Sequence, residues 1–319
     1  MLGEFEFIAA RLKPLAAGTP GALDLEDDAA LLDPPAGMTL VLTKDAMVAG
    51  VHFLVYDPSG EIAKKLLRVN LSDLAAMGAT PVGYLLALAR AKETPESWLA
   101  GFCQGLAEDQ AEFAIGLLGG DTVSTPGPLT LSLTAVGLVP EGQALRRRGA
   151  LPGDDLWVSG TLGDGALGLL VLQGKLDPAD GSRDFLVRRY RLPQPRLALG
   201  QGLRGLAHAA LDVSDGLLAD LGHILDVSGV GAELWADQLP LSPAARDLPG
   251  AREAALSGGD DYELLFTAPL GRREDVAALA RRLGLPLTRI GRMEAGSRVR
   301  VLDETGQEIA PARRGWQHF

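Results

Sequence analysis

VNLSDLAAMGATP, residues Val69 to Pro81, is the stretch from which the rest of the chain can be read. It predicts the start of a helix packed on nearly every side with small apolar residues. Asn70 and Ser72 are good N-cap types, Leu71, Leu74 and Met77 recur at helical spacing, and Gly78 can stop the helix. Asp73 then falls one turn in, where a carboxylate suits the positive end of the helix dipole. Alone, it reads as a cap. Acidic residues recur in the same kind of setting along the chain, and that recurrence argues for more.

Upstream, residues 61–78 carry a helical pattern with Lys64, Lys65 and Arg68 on a solvent face. MTLVLTKDAMVAGVHF, Met38 to Phe53, predicts a strand to Thr43 and then a loop. Downstream, 81–90 reads as a buried strand, 96–113 as a helix, 114–122 as a strand ending in a glycine turn and 129–139 as another strand. PEGQALRRRGALPGD, Pro140 to Asp154, is polar, basic and rich in Gly and Pro. This marks a domain boundary, dividing residues 1–140 from 141–319. A second mixed series of strands and helices follows, so the fold class is α/β, with α+β mixing, in two domains.

Composition narrows the function. The chain has 319 residues, 47% hydrophobic and 22% charged, which suits a soluble globular protein with a real core. No run approaches ~18 apolar residues, so no membrane partner is expected. The net charge of −11 argues against nucleic acid, whose binding depends on Lys and Arg neutralising phosphates. Cys103 is the single cysteine, which excludes an internal disulfide and points to the cytoplasm. An acidic protein that handles phosphates needs metal ions to reverse the local sign.

Acidic turns supply the candidates: Asp27 with Asp28, Asp45, Asp73, Asp121, and Asp212 with Asp215. Each taken alone is an ordinary turn or cap residue. Together they resemble a carboxylate set for several Mg²⁺ ions, which take one or two carboxylates each plus phosphate oxygens and water. Gly119 and Gly120, lacking Cβ atoms, would let backbone approach a phosphate beside Asp121. GDGALG, Gly163 to Gly168, matches the dinucleotide pattern literally, but no partner strand or strand-terminal acid follows, so it reads as a tight strand-to-helix turn. No P-loop is present, no His or Cys spacing suits zinc, and Cys103 reads as core.

DDAALL (Asp27–Leu32), VAGVHF (Val48–Phe53), NLSDLAAMGA (Asn70–Ala79), GGDT (Gly119–Thr122), RGALPGD (Arg148–Asp154), DVSDGLLADLGHI (Asp212–Ile224), SGGDDYEL (Ser257–Leu264) and GWQHF (Gly315–Phe319) occur in order. In this order the chain resembles the thiamine-monophosphate kinase family over nearly its whole length. The resemblance implies a two-domain fold of the aminoimidazole-ribonucleotide-synthetase (PurM) type and a homodimer whose N-terminal domains share a barrel-like sheet. It implies ATP-dependent conversion of thiamine monophosphate to thiamine diphosphate. By motif, Asp28, Thr43, Asp45, Asp73, Asp121, Asp212 and Asp215 would hold Mg²⁺, and Gly120, Asp121, Arg147 and Ser214 the nucleotide. His52, Asp260 and Trp316 would line the thiamine monophosphate pocket, where an indole face suits a cationic thiazolium. Asp73, Asp121, Arg147 and Asp212 would serve the transfer itself. Several Mg²⁺ ions, ATP as co-substrate and a monovalent cation as a further candidate complete the set.

Three residues depart from the family pattern. Glu26 replaces a Gly, Lys44 a small or aliphatic residue, and Asp260 a common Glu. Lys44 is expected to point away from the metals. Enzymes of the same fold are the alternatives, but the reactive N-terminal Cys of selenophosphate synthetases and the terminal cysteine of a hydrogenase-maturation protein are missing. A non-catalytic dimer held by Ca²⁺ is the alternative from another class, and the spacing matches no EF-hand loop.

Overall fold

A computed structural model describes residues 4–310 and Gly315. It resolves into two compact units, one of residues 1–74 with 79–142, the other of residues 75–78 with 143–319.

The first unit opens with the helical turns α1 (Glu4–Phe7), a π turn Ile8–Leu12, and α2 (Lys13–Ala16). β1 (Met38–Val48), α3 (Ser59–Ala76), β2 (Thr80–Arg90), α4 (Glu96–Phe113), β3 (Gly116–Ser124) and β4 (Thr130–Pro140) follow. The sheet runs β1-β4-β2-β3, antiparallel except for the β2–β3 pair. Along β1 burial alternates, with Val41 and Met47 inward and Leu40, Leu42, Lys44 and Ala46 outward. Helices α3 and α4 cover the inner face: Gly137 on β4 meets Leu74, and Gln110 on α4 donates to the Tyr84 hydroxyl on β2 at 3.0 Å.

Between these helices Arg68 grips Asp109 with two hydrogen bonds of 2.7 and 2.8 Å, both groups buried. Lys65 is buried as well. The expected solvent face of α3 is therefore an interior one for Lys65 and Arg68. Removing one partner of such a buried pair typically costs about 3–5 kcal/mol.

The second unit holds β5 (Asp155–Ser159), α5 (Asp164–Leu172), α6 (Asp180–Arg191), α7 (Leu197–Leu203), β6 (Ala209–Val213), α8 (Leu217–Ser228) and β7 (Gly231–Trp235). It continues with α9 (Ala251–Ser257), β8 (Glu263–Ala268), α10 (Arg273–Leu283), β9 (Leu287–Glu294), β10 (Val299–Leu302) and β11 (Glu308–Ile309). Its sheet order is β11-β10-β7-β9-β5-β8-β6. One face packs Leu211, Val213 and Leu265 against Leu217, Leu221 and Ile224 of α8. The other packs Leu264 and Phe266 against Leu199, Leu203, Val276 and Leu279 of α7 and α10. Burial on both faces explains why β6 and β8 show no polar–apolar alternation, with Asp212, Glu263 and Thr267 buried among their apolar residues.

Candidate functional site

In the first unit the structure corrects the setting of three aspartates. Helix α3 begins at Ser59, so Asn70 lies inside it and donates to the Leu66 carbonyl at 2.9 Å instead of capping. Asp73 consequently occupies the last turn, at the negative end of the dipole, where a carboxylate gains nothing from the helix. β1 runs on to Val48, placing Asp45 within a strand, and Gly119, Gly120 and Asp121 lie within β3 and form no turn.

Thr43 and Asp45 share the inward face of β1, and the Thr43 hydroxyl donates to Asp73 Oδ2. Burial, and then the neighbouring Asp73 carboxylate, push Asp45 up to about 6. Two facing carboxylates and a hydroxyl are a hard-oxygen set short of positive charge, and they fit Mg²⁺ on that ground. Register places Asp45 opposite Leu133, Leu133 opposite Leu86, and Leu86 opposite Gly120. Asp121, opposite the exposed Ala87, thus shares the outer face, away from Asp45. The missing Cβ of Gly120 is already used by the chain, since a Cβ there would lie 1.9 Å from the Leu86 oxygen.

Asp28 is exposed in a bend. Glu26 beside it reaches Lys13 at 2.7 Å, and that cation lowers its pKa, so its departure from Gly is answered by a surface pair. Lys44 is exposed on the outer face of β1, opposite to the side of Asp45. His52 follows β1 in a loop: its Nδ1 accepts the Val48 N–H at 3.0 Å, and its carbonyl accepts Lys65 Nζ at 3.3 Å.

In the second unit two loops meet. Asp212 lies buried in β6 one residue before its end, and Ser214 and Asp215 form the turn into α8. Asp260 and Tyr262 donate their N–H groups to the carbonyls of Ser214 (2.9 Å) and Val213 (2.8 Å), bringing SGGDDYEL alongside that turn. Asp260 and Tyr262 both hold positive φ, +67° and +52°, unusual for side-chain-bearing residues. The 146–147 segment borders β6, where the Arg146 carbonyl accepts the Ala210 N–H at 2.9 Å, and the Arg147 carbonyl accepts the Ser228 hydroxyl at 3.3 Å. Trp316 lies outside the described residues. Among those described, no group of three or more His, Cys, Asp or Glu side chains is gathered to hold a metal.

Sequence reasoning missed the residues that fix these loops. Asp220 Oδ2 accepts the N–H groups of Ser214, Asp215 and Gly216 at 3.0, 3.0 and 3.1 Å. Its burial, with Asp215 nearby, pushes it up to about 7 against those donors. Asp261 accepts the N–H of Gly163 at 2.6 Å and of Gly165 at 3.1 Å, and burial pushes it up to about 8 against the pull of Arg189 and both donors. Glu263, fully buried, accepts from Ser159, Arg189 and Arg196. The GDGALG glycines thus serve close packing, because Cβ atoms at Gly165 and Gly168 would strike the Asp260 and Leu186 carbonyls at 2.4 and 2.1 Å. The only signal for this network was the density of acids in SDGLLAD and GGDDYE.

Residues 26–139 match the family model described as AIR synthase related protein, N-terminal domain, and residues 152–304 match its C-terminal domain counterpart. Thiamine-monophosphate kinase of Caulobacter vibrioides is 47% identical over 322 residues, covering 99% of this chain and 90% of the relative. The crystal structure of thiamine-monophosphate kinase from Stenotrophomonas maltophilia is similar with a TM-score of 0.87 at 48% identity, covering 97% of this chain and 98% of that one. That of AaThiL complexed with AMPPCP and TMP gives a TM-score of 0.80 at 32% identity, covering 100% and 97%.

Proposed function

The chain belongs to the thiamine-monophosphate kinases, within the AIR-synthase-related proteins, and from that premise we propose that it transfers the γ-phosphoryl group of ATP to thiamine monophosphate, giving ADP and thiamine diphosphate. The observation that carries this reading is the near-full-length likeness to AaThiL complexed with AMPPCP, an ATP analogue, and TMP.

The acceptor is a phosphate oxygen, largely ionised near neutral pH because the second pKa of a phosphate monoester is about 6. No protein base is then needed to activate it, and transfer is direct and in line, without a phospho-enzyme. The main obstacle is repulsion between two polyanions. Thr43, Asp45 and Asp73 of the first unit would hold Mg²⁺, and Asp212 and Asp215 of the second unit would do the same; Asp28 and Asp121 are proposed as separate metal oxygens, Asp121 from the opposite face of the sheet. Bound Mg²⁺ supplies charge neutralisation of the phosphoryl oxygens. A monovalent cation is a further candidate. Gly120, Arg147 and Ser214 would meet the nucleotide phosphates, Arg147 adding a fixed positive charge. His52, Asp260 and Trp316 would line the acceptor pocket.

A homodimer is part of the proposal. The outer face of the first unit's sheet exposes Leu42 at 66%, Leu85 at 41% and Val123 at 48%, an apolar surface suited to a second copy of the same sheet. No helix among the described residues is long and apolar enough to cross a membrane. A cytoplasmic setting is part of the proposal, and the single free cysteine, Cys103, is compatible with a reducing compartment.

The test is ADP release from ATP with Mg²⁺ and thiamine monophosphate, read by a coupled assay. Turnover dependent on that acceptor is expected. Turnover with selenide or formylglycinamidine ribotide in its place overturns the assignment.

A further inference from the structure

We propose that Asp261 is a positioning residue, one that fixes the neighbouring Asp260 toward the acceptor by anchoring the loop to the N-terminus of α5. The proposal rests on the reading of Asp260 as a group lining the acceptor pocket.

Three observations carry it. First, the adjacent aspartates differ in setting: Asp261 is 1% exposed, while Asp260 is only half-buried. The two carboxyl oxygens of Asp261 accept from Gly163 and Gly165, at 2.6 and 3.1 Å, 98 and 96 residues earlier in the chain. Second, the backbone on both sides of Asp261 is held in a conformation that L-residues avoid, with φ of +67° at Asp260 and +52° at Tyr262. Such strain persists only where the surroundings over-determine it. Third, the surroundings do so here. Arg189 Nη2 donates to the Asp261 carbonyl at 3.2 Å and to Glu263 Oε1 at 3.0 Å, and the Ser214 carbonyl accepts the Asp260 N–H. Gly165 passes so close that a Cβ would sit 2.4 Å from the Asp260 carbonyl oxygen.

The loop is thus gripped from three sides, with the half-buried Asp260 next to the gripped Asp261. An amide at 261 keeps one acceptor oxygen and turns an N–H₂ toward the second glycine N–H, so Asp261→Asn loosens this grip without removing volume.

The experiment is a double-mutant cycle on the full-length protein, with separate Michaelis constants for thiamine monophosphate and ATP. Asp261→Asn is expected to raise the KM for thiamine monophosphate by about tenfold or more, with the ATP constant within about twofold. Asp260→Ala should raise the same constant, and the double variant should be no worse than Asp260→Ala, because residues acting as one unit are non-additive. A lowered melting temperature with unchanged constants makes Asp261 a structural cap and overturns the proposal, as do additive effects. No effect of Asp260→Ala on the acceptor constant instead removes the underlying reading, which separates the two failures. If Asp261→Asn does not fold, Arg189→Lys carries the test. It retains the charge beside Glu263 but loses the fork that reaches the Asp261 carbonyl, and the same selective rise is expected. Unchanged constants in that variant overturn the proposal.

Discussion

Thr43 on β1 donates its hydroxyl proton to the Asp73 carboxylate in the last turn of α3. The contact ties strand to helix, yet it leaves two acids facing one another, since Asp73 is among the groups that push Asp45 up to about 6. A carboxylate at the negative end of a helix, beside a second acid, adds little to the fold. On the proposed function it would serve instead to hold a cation.

Asp73→Asn should therefore separate activity from stability. Mg²⁺-dependent ADP release is expected to fall at least about a hundredfold, while the unfolding free energy stays within about 1 kcal/mol of the parent because dipole and charge repulsion are relieved together. The check is a Mg²⁺ titration of turnover beside a thermal melt in chelator. Retained turnover with a loss of several kcal/mol would return Asp73 to a structural role.

The two-domain α/β order and the acid-rich turn at DVSDG could be read from sequence, because strand, turn and helix there are contiguous. Lys44 also points outward as expected, on the ground that a cation facing the metals would compete with them. The start of α3 could not be read from sequence. Asn70 and Ser72 look like caps, but Asn70 bonds back to Leu66 inside a helix already under way. The charge on Arg68 suggested solvent, and its partner Asp109 lies 41 residues on, where no local pattern points to it. Asp121 illustrates the same limit. Its face is set by the register shift between Tyr84 and Leu85, a bulge with no sequence mark.

Asp261 also makes stability depend on pH in a specific direction. Its folded pKa, about 8, lies above the unfolded value near 4. The unfolded chain releases this proton first, so this group's contribution is fully present below about pH 4 and is lost as pH rises toward about 8. The slope is at most about 1.4 kcal/mol per pH unit. The parent protein should lose melting temperature across this window more steeply than Asp261→Asn, compared by thermal melts at constant ionic strength. Parallel curves would show that Asp261 does not titrate there.

Leu42, on the outer face of β1, tests the dimer. Leu42→Asp replaces an exposed apolar side chain, so an isolated first unit loses little from it. Placed opposite a second sheet, the same charge would be desolvated without a partner. Light scattering should then show a dimer for the parent chain and a monomer for the variant, with the far-UV spectrum unchanged. A parent monomer, or a variant still dimeric at low micromolar concentration, rejects that surface as the interface.

Gly119 and Gly120 look equivalent in the sequence, and the structure makes them opposites. A Cβ at Gly119 meets only the end of the Leu85 side chain at 3.4 Å, an ordinary contact, and its φ is not in the left-handed region. A Cβ at Gly120 would lie 1.9 Å from the Leu86 carbonyl oxygen and 2.8 Å from its carbon, so β3 must shift against β2. Gly119→Ala is thus expected to be neutral or to gain a few tenths of a kcal/mol through the unfolded chain. Gly120→Ala should lose about 1–3 kcal/mol. Denaturant melts of the two variants give the comparison, and ATP constants measured well below the melting range give its meaning. If Gly120→Ala melts like the parent, the strand pairing argued here does not depend on the glycine, and a weakened ATP constant in that variant leaves the proposed phosphate approach as its one role.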